Sequence, residues 1–326
     1  METRELSAFL QVAETGSFSL AAEALHLTQS AISRRVAALE TRLDARLFDR
    51  VGRRVALTEA GRALLPRARR ILADLDDTRT LIRNLTGSVS GALTLATSHH
   101  IGLHRLPPVL RAFSRSHPEV RLELQFLDSE TAHELLLQGR LEIAVVTLAP
   151  VALPPLSSTP VWDDPLLFAV GRDHPLAQRP RVTLEELAGE AAVLPGMGTY
   201  TGRIVAQLFE AAGSSLGGAM TTNYLETIRM MASVGLGWTV LPASMMDDRL
   251  VRLQPVGVGP LHRTLGWVRH PERTPSNAAR AFIETLMAFG DPEGEGRGRP
   301  EEPGSVSPAS WAPGSGSGHA GATGDP

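Results

Sequence analysis

The chain of 326 residues contains no cysteine. That excludes disulfides, thiol catalysis and cysteine-based zinc sites. Lysine is absent too, so all 32 basic side chains are arginine; no mechanism follows from this. No run of about twenty apolar residues exists, so no segment reads as a membrane-spanning helix. The opening Met1-Glu2-Thr3-Arg4-Glu5 lacks the basic-then-apolar pattern of a secretory signal. The expectation is a cytoplasmic protein with no membrane partner. An apolar share of 43% supports ordinary packed cores, and the length suggests about two domains.

Charge of one sign is also scarce, with a net of −3. Its distribution is uneven. Residues 1–73 hold 12 Arg against 8 Asp and Glu, an excess of four positive charges, whereas the remainder holds 20 against 27. A basic head on an acidic body fits one DNA-facing domain. The bias is modest, so groove contacts and dimerisation must supply much of the specific affinity.

What is present is most informative between Ser17 and Arg54. Ser17 to His26 reads as a short helix opened by a hydroxyl cap, Leu27-Thr28 as a tight turn, and Thr28 as the cap of a second helix running to Glu40. In that second helix Ile32, Val36 and Leu39 share one buried face. Gln29, Ser30, Ser33 and Arg34, with Arg35 beside them, are left near its N-terminus. In a helix-turn-helix that end enters the major groove, where Gln and Ser read base edges and Arg reads guanine or holds phosphate. A small helical subdomain with a polar face is the alternative. Against it stand Ala21 and Ala22, small enough for two helices to cross closely, and a basic hairpin that follows. Strands around Gly52 and Arg53 make a wing, with Arg50, Arg53 and Arg54 in reach of the sugar-phosphate backbone or minor groove.

These residues carry a resemblance. Phe9-Leu-Gln-Val-Ala-Glu-Thr-Gly-Ser-Phe18, Ala21-Ala22, Leu25, Gln29-Ser-Ala-Ile-Ser-Arg34, Leu39-Glu40, Leu47-Phe48-Asp-Arg50 and Leu57-Thr-Glu-Ala-Gly61 resemble the N-terminal domain of the LysR-type transcriptional regulators. Asp44 departs from the family's usual Gly, but Asp tolerates the left-handed conformation better than most residues.

Further on, Thr58 to about Leu85 reads as one long helix. Leu64, Ala68, Ile71, Leu75 and Thr78 form an apolar seam extended by Ile82 and Leu85. Pro66 inside it should kink it or remove a hydrogen bond. Such a helix needs a partner; the resemblance implies the same helix of a second chain, and a core helix of a globular domain is the alternative. After Gly87–Gly91 strands alternate with helices, which implies a mostly parallel sheet covered by helices. Leu93–Thr97, Val120–Phe126, Glu142–Thr147, Leu166–Val170 and Trp238–Leu241 are expected strands. Thr264–Val268 and the helix Asn277–Phe289 return to the first lobe.

The expected fold class is therefore a winged helix-turn-helix with a long linker helix, followed by a two-lobed α/β domain that resembles the periplasmic-binding-protein-like effector domain of the family. The expected boundaries are 1–61 for the DNA-binding head and 58–86 for the linker. The effector domain is 91–290, with lobe 1 at about 91–162 and 262–290 and lobe 2 at about 163–261. The 36 residues from Asp291 onward hold 9 Gly and 6 Pro, a composition expected to stay disordered.

Enzymatic motifs fail on context. Gly213-Ser-Ser-Leu-Gly217 matches G-x-S-x-G, but a helix precedes it where a strand is required. Gly235-Leu-Gly237 lacks the third glycine of a dinucleotide loop. His99-His100 has no convergent third or fourth ligand, so no metal is expected. Thr97, Ser98, His99 and His100 instead lie at the end of a strand and before a helix, where α/β folds hold small, often anionic ligands. Thr147 ends another strand of the same lobe. Thr199, Thr201 and Arg203 open one helix of the second lobe, and Asn223 opens another. The Thr201-Gly-Arg203 element is similar to a ligand loop in sulfur-assimilation members of the family. For single residues, plain capping or a surface ion pair remains the alternative.

The reading is a regulator that binds a double-stranded DNA operator and takes a small-molecule co-inducer, anionic in character, between two lobes. It has no cofactor and no catalytic residues. Self-association as a dimer or tetramer follows from the resemblance, which also admits RNA polymerase as a partner. Two rivals remain: a ligand-insensitive DNA-binding protein whose body only oligomerises, and an enzyme built on the α/β lobes.

Overall fold

The computed structural model describes residues 1–51, 54–85, 87–179 and 181–291, the side chains of Arg50, Val51 and Arg54 excepted. The Gly/Pro-rich segment from 292 onward, Gly52 and Arg53 therefore lie outside the described residues.

The head is three helices and a hairpin. Helix α1 (Thr3–Thr15) opens with a capping box between Glu2 and Glu5 and closes on Gly16. Helix α2 (Phe18–Ala24) is capped by Ser17 and α3 (Gln29–Leu43) by Thr28, as their hydroxyls predict. Asp44 ends α3 at φ 48°, so Asp does occupy the left-handed position. Strands β1 (Phe48–Val51) and β2 (Arg54–Leu57) pair antiparallel into the wing. Phe9, Val12, Phe18, Ala21, Ile32, Val36, Leu39 and Phe48 form the head's core. Glu40 fixes the wing from below: its Oε1 accepts the Leu47 amide at 2.7 Å.

The long helix α4 (Glu59–Asn84) is continuous through Pro66. Pro66 has no N–H to give the Arg62 carbonyl, so the helix tolerates that loss rather than ending there. The apolar seam divides in two. Ala68 is fully buried, and Leu64 and Ile71 pack against the head's own core. Farther along, Ile82 is 61% and Leu85 80% exposed. The single seam expected from Leu64 to Leu85 is therefore corrected: its first half is intramolecular, because the amphipathic face must first cover the winged domain.

The body follows as β3 (Gly91–Thr97), α5 (His99–His104), α6 (Leu106–Ser116), β4 (Val120–Phe126), α7 (Ser129–Leu137) and β5 (Ile143–Thr147). Then come β6 (Ser157–Gly171), β7 (Arg181–Val182), α8 (Leu184–Gly189), β8 (Val193–Leu194), α9 (Tyr200–Ala211), β9 (Met220–Thr221) and α10 (Leu225–Ser233). The chain ends on β10 (Thr239–Pro242), β11 (Leu250–Pro255), β12 (Leu261–Arg269) and α11 (Asn277–Met287). The main sheet runs β4-β3-β5-β12-β6-β11-β7, with β10 also paired to β6.

This sheet is mixed, not mostly parallel. Only β3 with β4 and β5, and β11 with β7, are parallel within it. Strand β12 is antiparallel to β5 and β6, and β6 to β10 and β11. The reason lies in β6, which is far longer than the expected Leu166–Val170. Pro160 and Pro165 disguise its first half. Both fall where it pairs with β12, around a register shift at Leu265/Gly266. Strands β6 and β12 both belong to two cores. Val161, Trp162 and Leu265 pack in the first lobe with Leu93, Phe113 and Phe282, whereas Leu166, Phe168 and Val170 pack in the second with Phe209 and Trp238. The two strands are the two crossings between lobes.

Gly61 shows how tightly wing and linker meet. A Cβ built there would stand 2.2 Å from the Leu47 carbonyl oxygen and 2.8 Å from the Leu57 side chain. Gly61→Ala should destabilise the protein by about 1–3 kcal/mol through overpacking, read as a lower urea midpoint. An unchanged midpoint would show that the wing yields without cost.

Candidate functional site

The first site is the exposed N-terminal face of α3. Its buried side is set by Ile32, Val36 and Leu39, so the 3.6-residue period turns Gln29, Ser30 and Arg34 to solvent, with Ser33 and Arg35 half-buried. Thr28 Oγ1 holds both the Ala31 amide at 3.2 Å and the Ser30 hydroxyl at 3.0 Å. Among the described residues neither Arg34 nor Arg35 is in an ion pair. The face presents uncommitted donors and acceptors of the kinds that read base edges. Of the wing arginines, Arg53 lies outside the described residues, and only the backbone of Arg50 and Arg54 is described.

The second site lies between the lobes, beside the crossing strands. Ser98, His99, His100, Asp128, Ser129, Glu130 and Thr147 line it from the first lobe, and Pro195, Thr199, Tyr200, Thr201, Asn223 and Leu225 from the second, with Arg263 on β12. The cavity measures about 50 Å³, well below the several hundred Å³ of ordinary ligand pockets. The cleft is narrow, and several contacts cross it. Glu130 accepts the backbone amide of Tyr200 at the start of α9. Asn223 Nδ2 donates to Asp128 Oδ2 at 2.7 Å. His104 Nε2 meets Glu226 Oε1 at 2.5 Å. His99 packs its ring edge-on to Tyr224, 4.8 Å between centroids.

The floor of the cleft is charged and buried. Arg263 Nε donates to Asp164 Oδ2 at 2.7 Å, and its Nη1 donates to Thr201 Oγ1 at 3.0 Å. Arg105 Nη2 approaches the same carboxylate at 3.5 Å. Two guanidinium groups thus share one carboxylate, and Arg263 Nη2 has no partner. His100 is 5% exposed with neither ring nitrogen hydrogen-bonded. Its contact with Asp164 at 3.8 Å is too long for a hydrogen bond. Burial, then the positive charges of Arg263, His104 and Arg105, pushes its pKa down to about 3, so the ring is neutral and forms no ion pair. On the opposite wall burial raises the pKa of Glu130. Burial and the nearby Glu130 push the Tyr200 phenol up to about 12.

Seven expected ligand residues are brought together here: Ser98, His99, His100, Thr147, Thr199, Thr201 and Asn223. Two are not. Thr97 is buried and donates its hydroxyl to the Val145 carbonyl at 2.8 Å, within the sheet; the two-residue strand period turns it away from Ser98's side. Arg203 does not line the cavity: it bonds the Gly198 carbonyl at 2.7 Å, lies over the Tyr200 ring and stands 3.8 Å from Glu130. Several expected residues also have structural duties: Thr199 caps α9, and Thr201 holds Arg263. Ser98 carries no side-chain cap bond. Reading the sequence missed Asp128, Ser129, Glu130 and Arg263. Asp128-Ser-Glu130 before an apolar run is a helix-start signal that could have found the first three; nothing local marks Arg263.

Other candidates resolve simply. Gly213 follows α9 at φ 70° and its amide bonds Glu210, so the G-x-S-x-G match is a helix end. Among the described residues no group of three or more His, Asp or Glu is placed to hold a metal ion, and no helix is long and apolar enough to cross a membrane.

Comparison with known proteins bears on both sites. Residues 3–62 match the bacterial regulatory helix-turn-helix family of lysR type, and residues 86–290 match the LysR substrate binding domain. The HTH-type transcriptional regulator YeiE of Escherichia coli strain K12 is 32% identical over 86% of this chain and 95% of its own. An HTH-type transcriptional regulator from the ibpB-leuC intergenic region of Azotobacter vinelandii is 70% identical over 33% of this chain and 75% of its own. The crystal structure of full-length CbnR in complex with its target DNA superposes with a TM-score of 0.60 at 24% identity, covering 89% of this chain and all of that one.

His100 supplies a test of the buried floor. Above its unfolded pKa of 6.5 the ring is neutral in both states. As pH falls below 6.5 the unfolded chain binds a proton that the folded chain refuses until about 3. Stability is therefore lost as pH drops through that window. Between about pH 7 and pH 5 the urea midpoint of His100→Gln should fall less than that of the wild type. Equal falls would mean that folded His100 takes up a proton freely.

Proposed function

This chain belongs to the LysR family of transcriptional regulators, and from that premise we propose how its two sites are used. As a member it is a DNA-binding regulator with an effector-binding domain, and it is not an enzyme. The start of α3 enters the major groove of the operator, with Gln29, Ser30, Ser33 and Arg34 at base edges and Arg35 at phosphate. Arg50, Arg53 and Arg54 of the wing hold the flanking backbone. Two heads engage one operator through pairing of α4, whose second half leaves Leu81, Ile82 and Leu85 uncovered. No surface is assigned to RNA polymerase.

A small effector carrying an anionic group enters the cleft between the lobes. The single observation that carries this is the buried, unpartnered Nη2 of Arg263, one of two guanidinium groups that share one carboxylate. An excess of positive charge at a buried site favours an anion. The N-terminus of α9 adds partial positive charge. Opening and closing around the effector shifts a two-state balance and so the placement of the heads. The ligand-insensitive alternative gives that unpartnered guanidinium no role.

Two measurements test the proposal. Arg34→Ala and Ser33→Ala should each weaken operator binding by about 1–3 kcal/mol while leaving the melting temperature unchanged, as read by fluorescence anisotropy and calorimetry. Wild-type affinity in both would remove α3 from the groove. For the cleft, Ser98→Ala and Thr147→Val are the clean variants, since neither side chain holds a cap or Arg263. Thermal shift against a panel of small carboxylates and oxyanions identifies a stabilising anion. Both variants should bind operator normally yet need about tenfold more of that anion to respond. A wild-type response in both would place the effector elsewhere.

A further inference from the structure

The cleft is electrically two-ended, and this narrows what it can hold. At the floor, Arg105 and Arg263 face Asp164 alone, with His100 held neutral. That end carries one positive charge in excess. Both Arg263 and His100 line the cavity, both are more than nine-tenths buried, and both keep nitrogens without a partner. At the mouth, Asp128 and Glu130 line the same cavity. Glu130 meets Arg203, whose Nη2 stands 3.8 Å from its Oε1 and whose side chain is 41% exposed; among the described residues the Asp128 carboxylate accepts only the neutral Asn223 amide. That end carries one negative charge in excess. Burial raises the pKa of Glu130 against the Tyr200 amide and Arg203, which lower it; a further cation beside it would offset that burial.

We infer that the effector is a small zwitterion of the α-amino-acid class, its carboxylate toward Arg263 and His100 and its ammonium toward Glu130 and Asp128. This rests on the reading of the cleft as the effector site. A simple anion would satisfy the floor and leave the carboxylates of Glu130 and Asp128 facing it at the mouth. A simple amine would do the reverse. A molecule carrying both charges a few ångströms apart satisfies both ends at once. Ser98 and Thr147, which line the same cavity, supply hydroxyls to orient it. The cavity of about 50 Å³ confines the guest to a small side chain. Glu130 also accepts the Tyr200 amide, so an ammonium drawn to Glu130 joins α7 of one lobe to α9 of the other and ties occupancy to closure.

Calorimetric titration of the full chain with the twenty common L-α-amino acids is the experiment. For the tightest one, the matching α-hydroxy acid and the decarboxylated amine are titrated beside it, with sulfate and phosphate as simple anions. A small amino acid should bind, and each analogue lacking one charge should bind about tenfold or more weakly. Glu130→Gln keeps an acceptor for the Tyr200 amide but loses the charge. It should weaken the amino acid by a similar factor and leave the hydroxy acid unchanged. Two results would overturn the assignment and leave an anion site standing: a hydroxy acid or inorganic anion that binds as tightly, or a Glu130→Gln protein with wild-type affinity for the amino acid. If no amino acid binds, the inference falls by itself. The response of Ser98→Ala and Thr147→Val to the stabilising anion then decides separately whether the cleft is the effector site.

Discussion

The body of this protein depends on one buried ion pair. Asp164 on β6 and Arg263 on β12 are direct register partners where both strands pass from one lobe to the other. They are 1% and 7% exposed. A buried pair of this kind adds little net stability, because desolvation offsets most of the attraction. What it fixes is geometry. A slip of one residue in either strand would turn a charge to the opposite face of the sheet and leave its partner buried alone. Through Asp164 the pair also gathers Arg105, and through Arg263 it gathers Thr201 at the start of α9. Both lobes are thereby referred to one point.

The same pair sets the chemistry of the cleft. Burial and the positive charge of Arg263 keep His100 neutral, and the pair leaves an unpartnered guanidinium nitrogen. Glu130 and Asp128 line the same cavity. Polar groups in such a site interact strongly when matched and cost heavily when they are not. A site with opposite charges at its two ends is correspondingly selective.

The head is held to the body by softer means. Glu14 of α1 meets Arg69 of α4 at 3.6 Å and Arg140 of the first lobe at 3.5 Å. Arg273 meets Asp77 of α4 at 2.8 Å, and Asn84 bonds Pro275 and Asn277. These contacts are partly exposed, and pairs of that kind are individually weak. A joint made of them can be rearranged at small cost, whereas the crossing strands cannot. That contrast suits a body that changes state and a head that must follow.

The sequence by itself determined whatever is decided within a few residues. Hydroxyls at Ser17, Thr28, Thr58, Thr199 and Ser276 cap helices, Asp44 takes the left-handed turn, and the spacing of Ile32, Val36 and Leu39 settles which side of α3 faces out. The family resemblance, the helix-turn-helix and the two-lobed α/β plan followed from such local signals. Tertiary structure decided the rest, because it turns on which distant segments meet. Asp164 and Arg263 are 99 positions apart, Glu130 and Tyr200 70, and Asn223 and Asp128 95. No periodicity or cap pairs them. Likewise Thr97 left the cleft by facing into the sheet and Arg203 by packing over the Tyr200 ring, while half of the α4 seam went to covering the head. The two prolines in β6 hid a long strand, since a local rule against proline takes no account of the partner strand that tolerates it. Local chemistry fixes elements and their faces; only packing decides which faces share a cavity and which charges must answer one another there.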